Sequence, residues 1–422
     1  MSEYANLLRK NPDFTYLWIA QVISLLGDWF NTIALTALVA VYSDGSGLAV
    51  SLFFLARVLP PLMVSPYAGV LVDRFDRKLI LIYSNLSRVA VVLMFLFATS
   101  KDMLWLIYVL TVLQFLLSAV FEPGQAAILP NIIQEKYLVT ANTLRSVTWS
   151  AMLALGAIIG GVVSSIFGWE IAILVDAMTF AVSAGFILLV NVPQQMETDY
   201  SVGEPSKQED KGNGSFLEGL RYLRANPLTA VILMIKGGGS IGNMDTLMTI
   251  YATQVFILGN DGQLSLGIMY SAFGIGAIMG PLVLNRFHDN SVWMLRRMVI
   301  IGFILITLGW TVLGIASTLL VLSAGVMLRA MGASSNWTYS SVIIQKQVSD
   351  RFMGRVFSLD FAMFQLASVF STIIHGAVVI YGSDGLQMIV FATAAVSMLP
   401  LAAWWFAVPR MENREIAVVL TE

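Results

Sequence analysis

Long apolar runs separated by brief polar connections dominate this chain. A helix rising about 1.5 Å per residue needs about 20 apolar residues to cross a bilayer. By that measure the runs predict twelve spanning helices, at roughly 14–41, 48–72, 79–99, 103–126, 141–165, 169–191, 228–257, 264–287, 293–314, 318–341, 354–380 and 384–407. Very short connections alternate with longer charged ones. The long polar stretch is 192–227. Its core, Gln194 to Ser215, is rich in Gln, Glu, Asp, Lys, Gly and Ser and reads as a flexible linker. Phe216 to Arg224 then carries apolar residues at helical spacing with basic residues between them, the pattern of a short helix lying on a membrane surface. The expected organisation is an N-terminal six-helix bundle (1–191), a cytoplasmic linker (192–227) and a C-terminal six-helix bundle (228–422). This is an all-α polytopic membrane protein. Weak self-similarity at an offset of roughly 214 residues makes the halves pseudo-symmetric: Leu26-Gly-Asp28-Trp-Phe-Asn31 lines up with Ile241-Gly-Asn243-Met-Asp245-Thr246.

Composition agrees with that pattern. Hydrophobic residues make up 57% of the 422 and charged ones 12%, against about 25% charged in soluble globular chains. A net charge of −2 gives no basic surface for nucleic acid. The absence of cysteine rules out disulfides and thiolate metal sites. Two histidines, His288 and His375, leave little for a metal centre, so no cofactor is expected. No nucleophile–base arrangement or phosphate-cradling glycine loop points to an enzyme. The first apolar run is too long for a signal-peptide core. Of the 24 lysines and arginines, only Lys101 falls in a connection on one face, and Arg57, Arg88, Lys236 and Arg329 fall inside helices. The rest share the opposite face, which the positive-inside rule makes cytoplasmic, together with both termini.

The connection Gly69-Val-Leu-Val-Asp73-Arg74-Phe-Asp76-Arg77-Lys78 packs charge into a tight turn between two apolar helices. It resembles the G-x-L-x-D-R-x-x-R-K loop between the second and third helices of the major facilitator superfamily. Leu26 to Phe30, Phe121-Glu122-Pro-Gly-Gln-Ala-Ala-Ile-Leu-Pro130, Ala141 to Arg145 and Gly354-Arg355-Val356 resemble its macrolide-efflux and enterobactin-exporter branch in bacteria. That resemblance implies alternating access around a midplane site, with protons driving export of amphiphilic drugs or siderophores through the bacterial inner membrane by a monomer bathed in membrane lipids. It also implies an inner gate. Asp73 and Arg74 lie in the loop, Asp73 caps the eleventh helix near Gly354 and Arg355, and Arg77 pairs with Glu122. The bland reading of these residues is surface anchoring. Two departures stand out. Gly156-Ala157-Ile-Ile-Gly160-Gly161 has alanine where the antiporter signature G-P-x-x-G-G has proline. Gln114 sits in the fourth helix, where many proton-coupled exporters place R-x-x-x-G. A lipid or lysolipid flippase, or an importer, is the alternative on the same fold.

Charges at bilayer depth cost at least about 2.5–3.5 kcal/mol and are usually paired or functional. Asp28 lies about 21 Å into the first span, at about 1.5 Å per residue, and Arg57 lies at similar depth on the second. They form either a proton-titrated pair or a static one. Asp245 on the seventh helix and Arg329 on the tenth, within one turn of the same depth, make a second candidate pair for coupling or substrate. Lys236 and Asp360 sit nearer the inner mouth, where a packing or gate contact is the simpler reading. Asp176 and Arg88 read as shallower, and His375 as a packed hydrogen-bonder. Gln21, Asn31, Gln114, Asn243, Met248, Tyr251 and Asn336 are the candidate lining of the cavity that the resemblance implies. Such an adaptable amphipathic surface suits bulky ligands.

Overall fold

The computed structural model describes residues 3–134, 137–192, 221, 223–242, 244–287, 291–348, 350–378 and 382–419. The side chains at 3, 65–74, 122–123, 126–127, 130, 138–139, 142–143, 146, 285, 350–355, 358, 378, 382–384 and 412–419 lie outside the description. The linker core, most of the surface helix after it, and Asn243 also lie outside the described residues.

The described residues are helical nearly throughout. In chain order the α-helices are α1 (Glu3–Lys10), α2 (Pro12–Tyr42), α3 (Gly47–Arg74), α4 (Arg77–Met94), α5 (Leu104–Ser118), α6 (Phe121–Ile132), α7 (Leu138–Phe167) and α8 (Trp169–Leu189). They continue with α9 (Pro227–Gly239), α10 (Met244–Ile250), α11 (Gln263–Leu284), α12 (Val292–Gly314), α13 (Leu319–Gln347), α14 (Asp350–Val378) and α15 (Gly382–Val419). Among the described residues, 11 helices are long and apolar enough to cross a membrane. Their ends follow local chemistry. Pro12 opens α2, where a missing N–H costs nothing. The side chains of Asp76, Ser291 and Thr318 cap α4, α12 and α13 by accepting from the backbone N–H of Leu79, Met294 and Val321.

Two expected spans are interrupted. The fourth divides into α5 and α6 across Ala119 and Val120. The seventh, expected to be continuous over 228–257, breaks after Gly239 and resumes as α10. It then loosens into a π-helical turn at Tyr251–Val255. The reason lies in Gly237-Gly238-Gly239 and in Gly242, whose φ of +89° is open to glycine at little cost. A Cβ there would also lie 2.1 Å from the Trp310 ring.

Contacts divide the chain into two compact units, Met1–Gln195 with Asp245–Ser271, and Met196–Met244 with Ala272–Glu422. In the first, α2 packs against α7 and α8, α3 against α5, and α4 against α8. At one end, Leu17 and Ala20 of α2 close on Leu81, Ile82, Ile128 and Ile187. In the second, α12 lies so close on α13 that Cβ atoms are excluded. One on Gly332 would stand 2.2 Å from the Gly302 carbonyl oxygen, and one on Gly309 2.5 Å from the Arg329 nitrogen. Helices in lipid gain nothing from burying apolar surface against each other, so such backbone contact supplies the attraction instead. Large apolar side chains such as Leu320, Met63, Trp105 and Leu399 are exposed, as suits a surface facing hydrocarbon.

Candidate functional site

In the first unit, polar side chains gather around the middle of α2. The side chains of Asn31 and Thr32 meet α8 and α3, and Gly27 lets α8 approach the α2 backbone. Thr32 accepts from Nη2 of Arg57 on α3 at 2.7 Å and donates to the Asp28 carbonyl at 2.5 Å. Thr32, one turn along α2, thus joins Arg57 to the backbone carbonyl of Asp28. The guanidinium lies over Phe115 (4.9 Å) and Phe53 (5.7 Å), and its Nη1 has no hydrogen-bond partner. Asn31 donates to Asp176 on α8 at 2.8 Å. Asp176 is completely buried, eight residues into α8.

Asp245 opens α10 and accepts from the Tyr270 hydroxyl at 2.8 Å. The Tyr270 ring lies 5.2 Å from that of Trp29. The next residue, Thr246, shares a 2.9 Å hydrogen bond with Ser51 of α3. Met248 and Tyr251 are buried, and Tyr251 stacks on Phe256. Gln21 and Gln114 are buried with their Oε1 atoms unpartnered.

In the second unit, Arg329 of α13 points into the break after α9. Its Nη2 donates to the carbonyls of Gly239 (3.2 Å) and Gly242 (3.5 Å), which the interrupted helix leaves without the usual partners. The positive charge meets the negative end of α9. Around it, the Gly242 N–H donates to Ser371 at 2.8 Å. The His375 ring bonds the Ser371 carbonyl and the Thr393 hydroxyl, at 2.8 and 2.9 Å. Asp245 and Arg329, paired in the sequence reading, each hold these other partners.

Lys236 and Asp360 meet in an ion pair, with side chains 4% and 1% exposed. Lys236 also donates to Ser341 at 3.0 Å and lies 4.4 Å above the Trp337 ring. Asn336 is buried with both amide atoms unpartnered. Of the expected gate, the side chains of Asp73, Arg74, Glu122, Gly354 and Arg355 lie outside the described residues. Their backbones fall in α3, α6 and α14, while Arg77 begins α4 beside its cap Asp76.

Sequence reasoning missed Thr32, Tyr270 and the Asp176–Asn31 bond. An acid in an apolar run was the available signal for Asp176. Nothing local marks Thr32 or Tyr270, because their partners are distant in sequence.

A family model described as Major Facilitator Superfamily matches residues 17–295. The MFS-type transporter YfiS of Bacillus subtilis (strain 168) is 28% identical over 222 residues, covering 53% of this chain and 52% of that protein. The putative bacilysin exporter BacE of Bacillus subtilis is 25% identical over 395 residues, 92% of this chain and 93% of BacE. Macrolide efflux protein A of Streptococcus pyogenes is 24% identical over 391 residues, with shares of 87% and 88%. Among solved structures, the nucleoside transporter NupG matches with a TM-score of 0.71 at 15% identity, over 94% of this chain and 98% of NupG. That likeness carries the fold, and the sequence match carries the family: this multi-pass membrane protein belongs to the Major Facilitator Superfamily.

Proposed function

We propose that the protein is a secondary active exporter of amphiphilic small molecules, driven by proton antiport through alternating access. The observation that carries this reading is similarity along about nine-tenths of the chain to proteins named as a bacilysin exporter and a macrolide efflux protein. The buried polar groups supply a rationale for the driving force. Asp28 and Asp245 are acids inside apolar helices, and each lies beside a group that responds to its charge. Protonating Asp245 removes the negative charge that strengthens its hydrogen bond from the Tyr270 hydroxyl. Protonating Asp28 changes the field around Arg57. Such groups bind a proton in one conformation and release it in another when the conformations differ in solvation. Gln21, Asn31, Gln114, Met248, Tyr251 and Asn336 are the proposed contacts for an amphiphile.

In this reading two six-helix halves, 1–191 and 228–422, rock about the substrate. Asp73, Arg74, Arg77, Glu122, Gly354 and Arg355 close the cytoplasmic side, the monomer sits in the bacterial inner membrane, and both termini are cytoplasmic. The test is substrate-dependent proton movement in proteoliposomes carrying an internal pH dye, with macrolides, siderophores, cationic dyes and lysolipids as probes. Proton release on adding one probe, lost in Asp28→Asn or Asp245→Asn, is the expected result. Substrate uptake without proton movement would refute proton antiport.

A further inference from the structure

Asp176 sits at a close contact between α2 and α8. A Cβ on Gly27 would lie 1.9 Å from Thr179 Oγ1 and 2.6 Å from Asp176 Oδ1. The carboxyl group is therefore pressed against bare helix backbone, with no exposed surface. One oxygen, Oδ2, accepts from Asn31 at 2.8 Å, and the other has no hydrogen-bond partner among the described residues. An ionised carboxylate offers about four acceptor sites, and here one neutral N–H answers them. A buried charge so poorly satisfied takes up a proton rather than stay ionised.

The charged groups acting on Asp176 do not replace that missing donor. Asp28 on α2 opposes a second negative charge, while Arg57 on α3 and Arg88 on α4 favour one. The described hydrogen bonds of both cations go to neutral oxygens: Arg57 to Thr32, and Arg88 to Asn85 and Ser118. Arg88 also lies over the Phe180 and Phe121 rings, at 4.2 and 4.7 Å. Asn31 and Thr32, adjacent on α2, thus hold Asp176 and Arg57 respectively.

We propose that Asp176 is a proton-binding site of the transport cycle, loaded in this conformation as the un-ionised acid with Asn31 donating to its carbonyl oxygen. Releasing the proton to water leaves a carboxylate at Asp176, and the positive charges of Arg88 and Arg57, which both favour the ionised form, answer it. The proposal rests on the proton-driven reading above, but its first test does not depend on transport. Infrared difference spectra of the protein in lipid nanodiscs at neutral pH should contain the C=O band of an un-ionised carboxylic acid. The band should vanish in Asp176→Asn and persist in Asp28→Asn and Asp245→Asn. Asn31→Ala keeps the carboxyl group and should move the band to higher frequency, because its C=O loses a hydrogen bond. That variant serves even if Asp176→Asn fails to fold. A spectrum unchanged in Asp176→Asn, or unmoved in Asn31→Ala, overturns the proposal.

The second test is flux. Folded Asp176→Asn should exchange substrate across the membrane while losing substrate-linked proton movement. Proton movement equal to that of the parent overturns the transport role. A parent protein that shows the band but moves no protons with any substrate refutes proton antiport, and with it that role, while the loaded acid stands.

Discussion

Lys236→Met removes a charge that the structure buries almost completely. Both side chains of the Lys236–Asp360 pair are withdrawn from solvent, and Oδ1 of Asp360 already lacks a hydrogen-bond partner. The methionine keeps the apolar stem of the lysine, so packing changes little. What remains is a buried carboxylate with no counter-charge, and breaking such a pair from one side costs about 3–5 kcal/mol. Loss of the ammonium over Trp337 adds about 1–2 kcal/mol in a desolvated setting. The companion Asp360→Leu strands the ammonium in the same way. The double variant leaves no uncompensated charge, and replacing a buried pair by apolar side chains is often neutral or better. The double variant should therefore be more stable than either single one, with coupling at or above the upper end of the roughly 0.5–3 kcal/mol usual for residues in contact. Equilibrium unfolding in mixed detergent micelles, followed by tryptophan fluorescence, measures all four corners of the cycle. Lys236→Met as stable as the parent, or a double variant losing the sum of the two single losses, would refute the reasoning.

Three further perturbations follow from the geometry. Gly332→Ala forces a Cβ against the Gly302 carbonyl and should cost about 1–3 kcal/mol as overpacking. Gly185→Ala meets nothing within 4 Å and should gain up to about 1 kcal/mol from helix propensity; equal melting temperatures for the two would contradict the tight α12–α13 seam. Arg329→Gln removes the guanidinium from the carbonyls of Gly239 and Gly242, and hydrogen exchange at 237–242 should speed up, an acceleration that Arg329→Lys only partly prevents because one ammonium lacks the planar fork. Asp73→Asn should shift the balance between inward-open and outward-open forms, read by cysteine accessibility on each face; a pattern identical to the parent would remove Asp73 from the gate.

The break in the seventh span shows how local signals go unread. Four glycines between 237 and 242 were visible, yet the apolar content of 228–257 predicts one continuous helix. Hydropathy measures what lipid tolerates and is blind to backbone angles. Lys236 and Asp360 are brought together as their shared depth implied, because depth follows from counting residues along straight helices. Depth along the span says nothing about lateral burial: the packing of α8 on Gly27 buries Asp176 completely. Partners such as Thr32 for Arg57, Tyr270 for Asp245 and the Gly239 carbonyl for Arg329 have no sequence signature, since each needs two helices at one azimuth.

By itself the sequence determined what the bilayer demands: apolar runs of spanning length and the few charges set within them. Each is a property of a single segment against its solvent, so the residues of that segment suffice to read it. The tertiary structure alone decided which buried group meets which. A helix turns 100° per residue, and its rotation about its own axis is set by neighbouring helices at positions such as Gly27, Gly309 and Gly332. There the lack of a side chain lets backbones touch and fixes where every other side chain points.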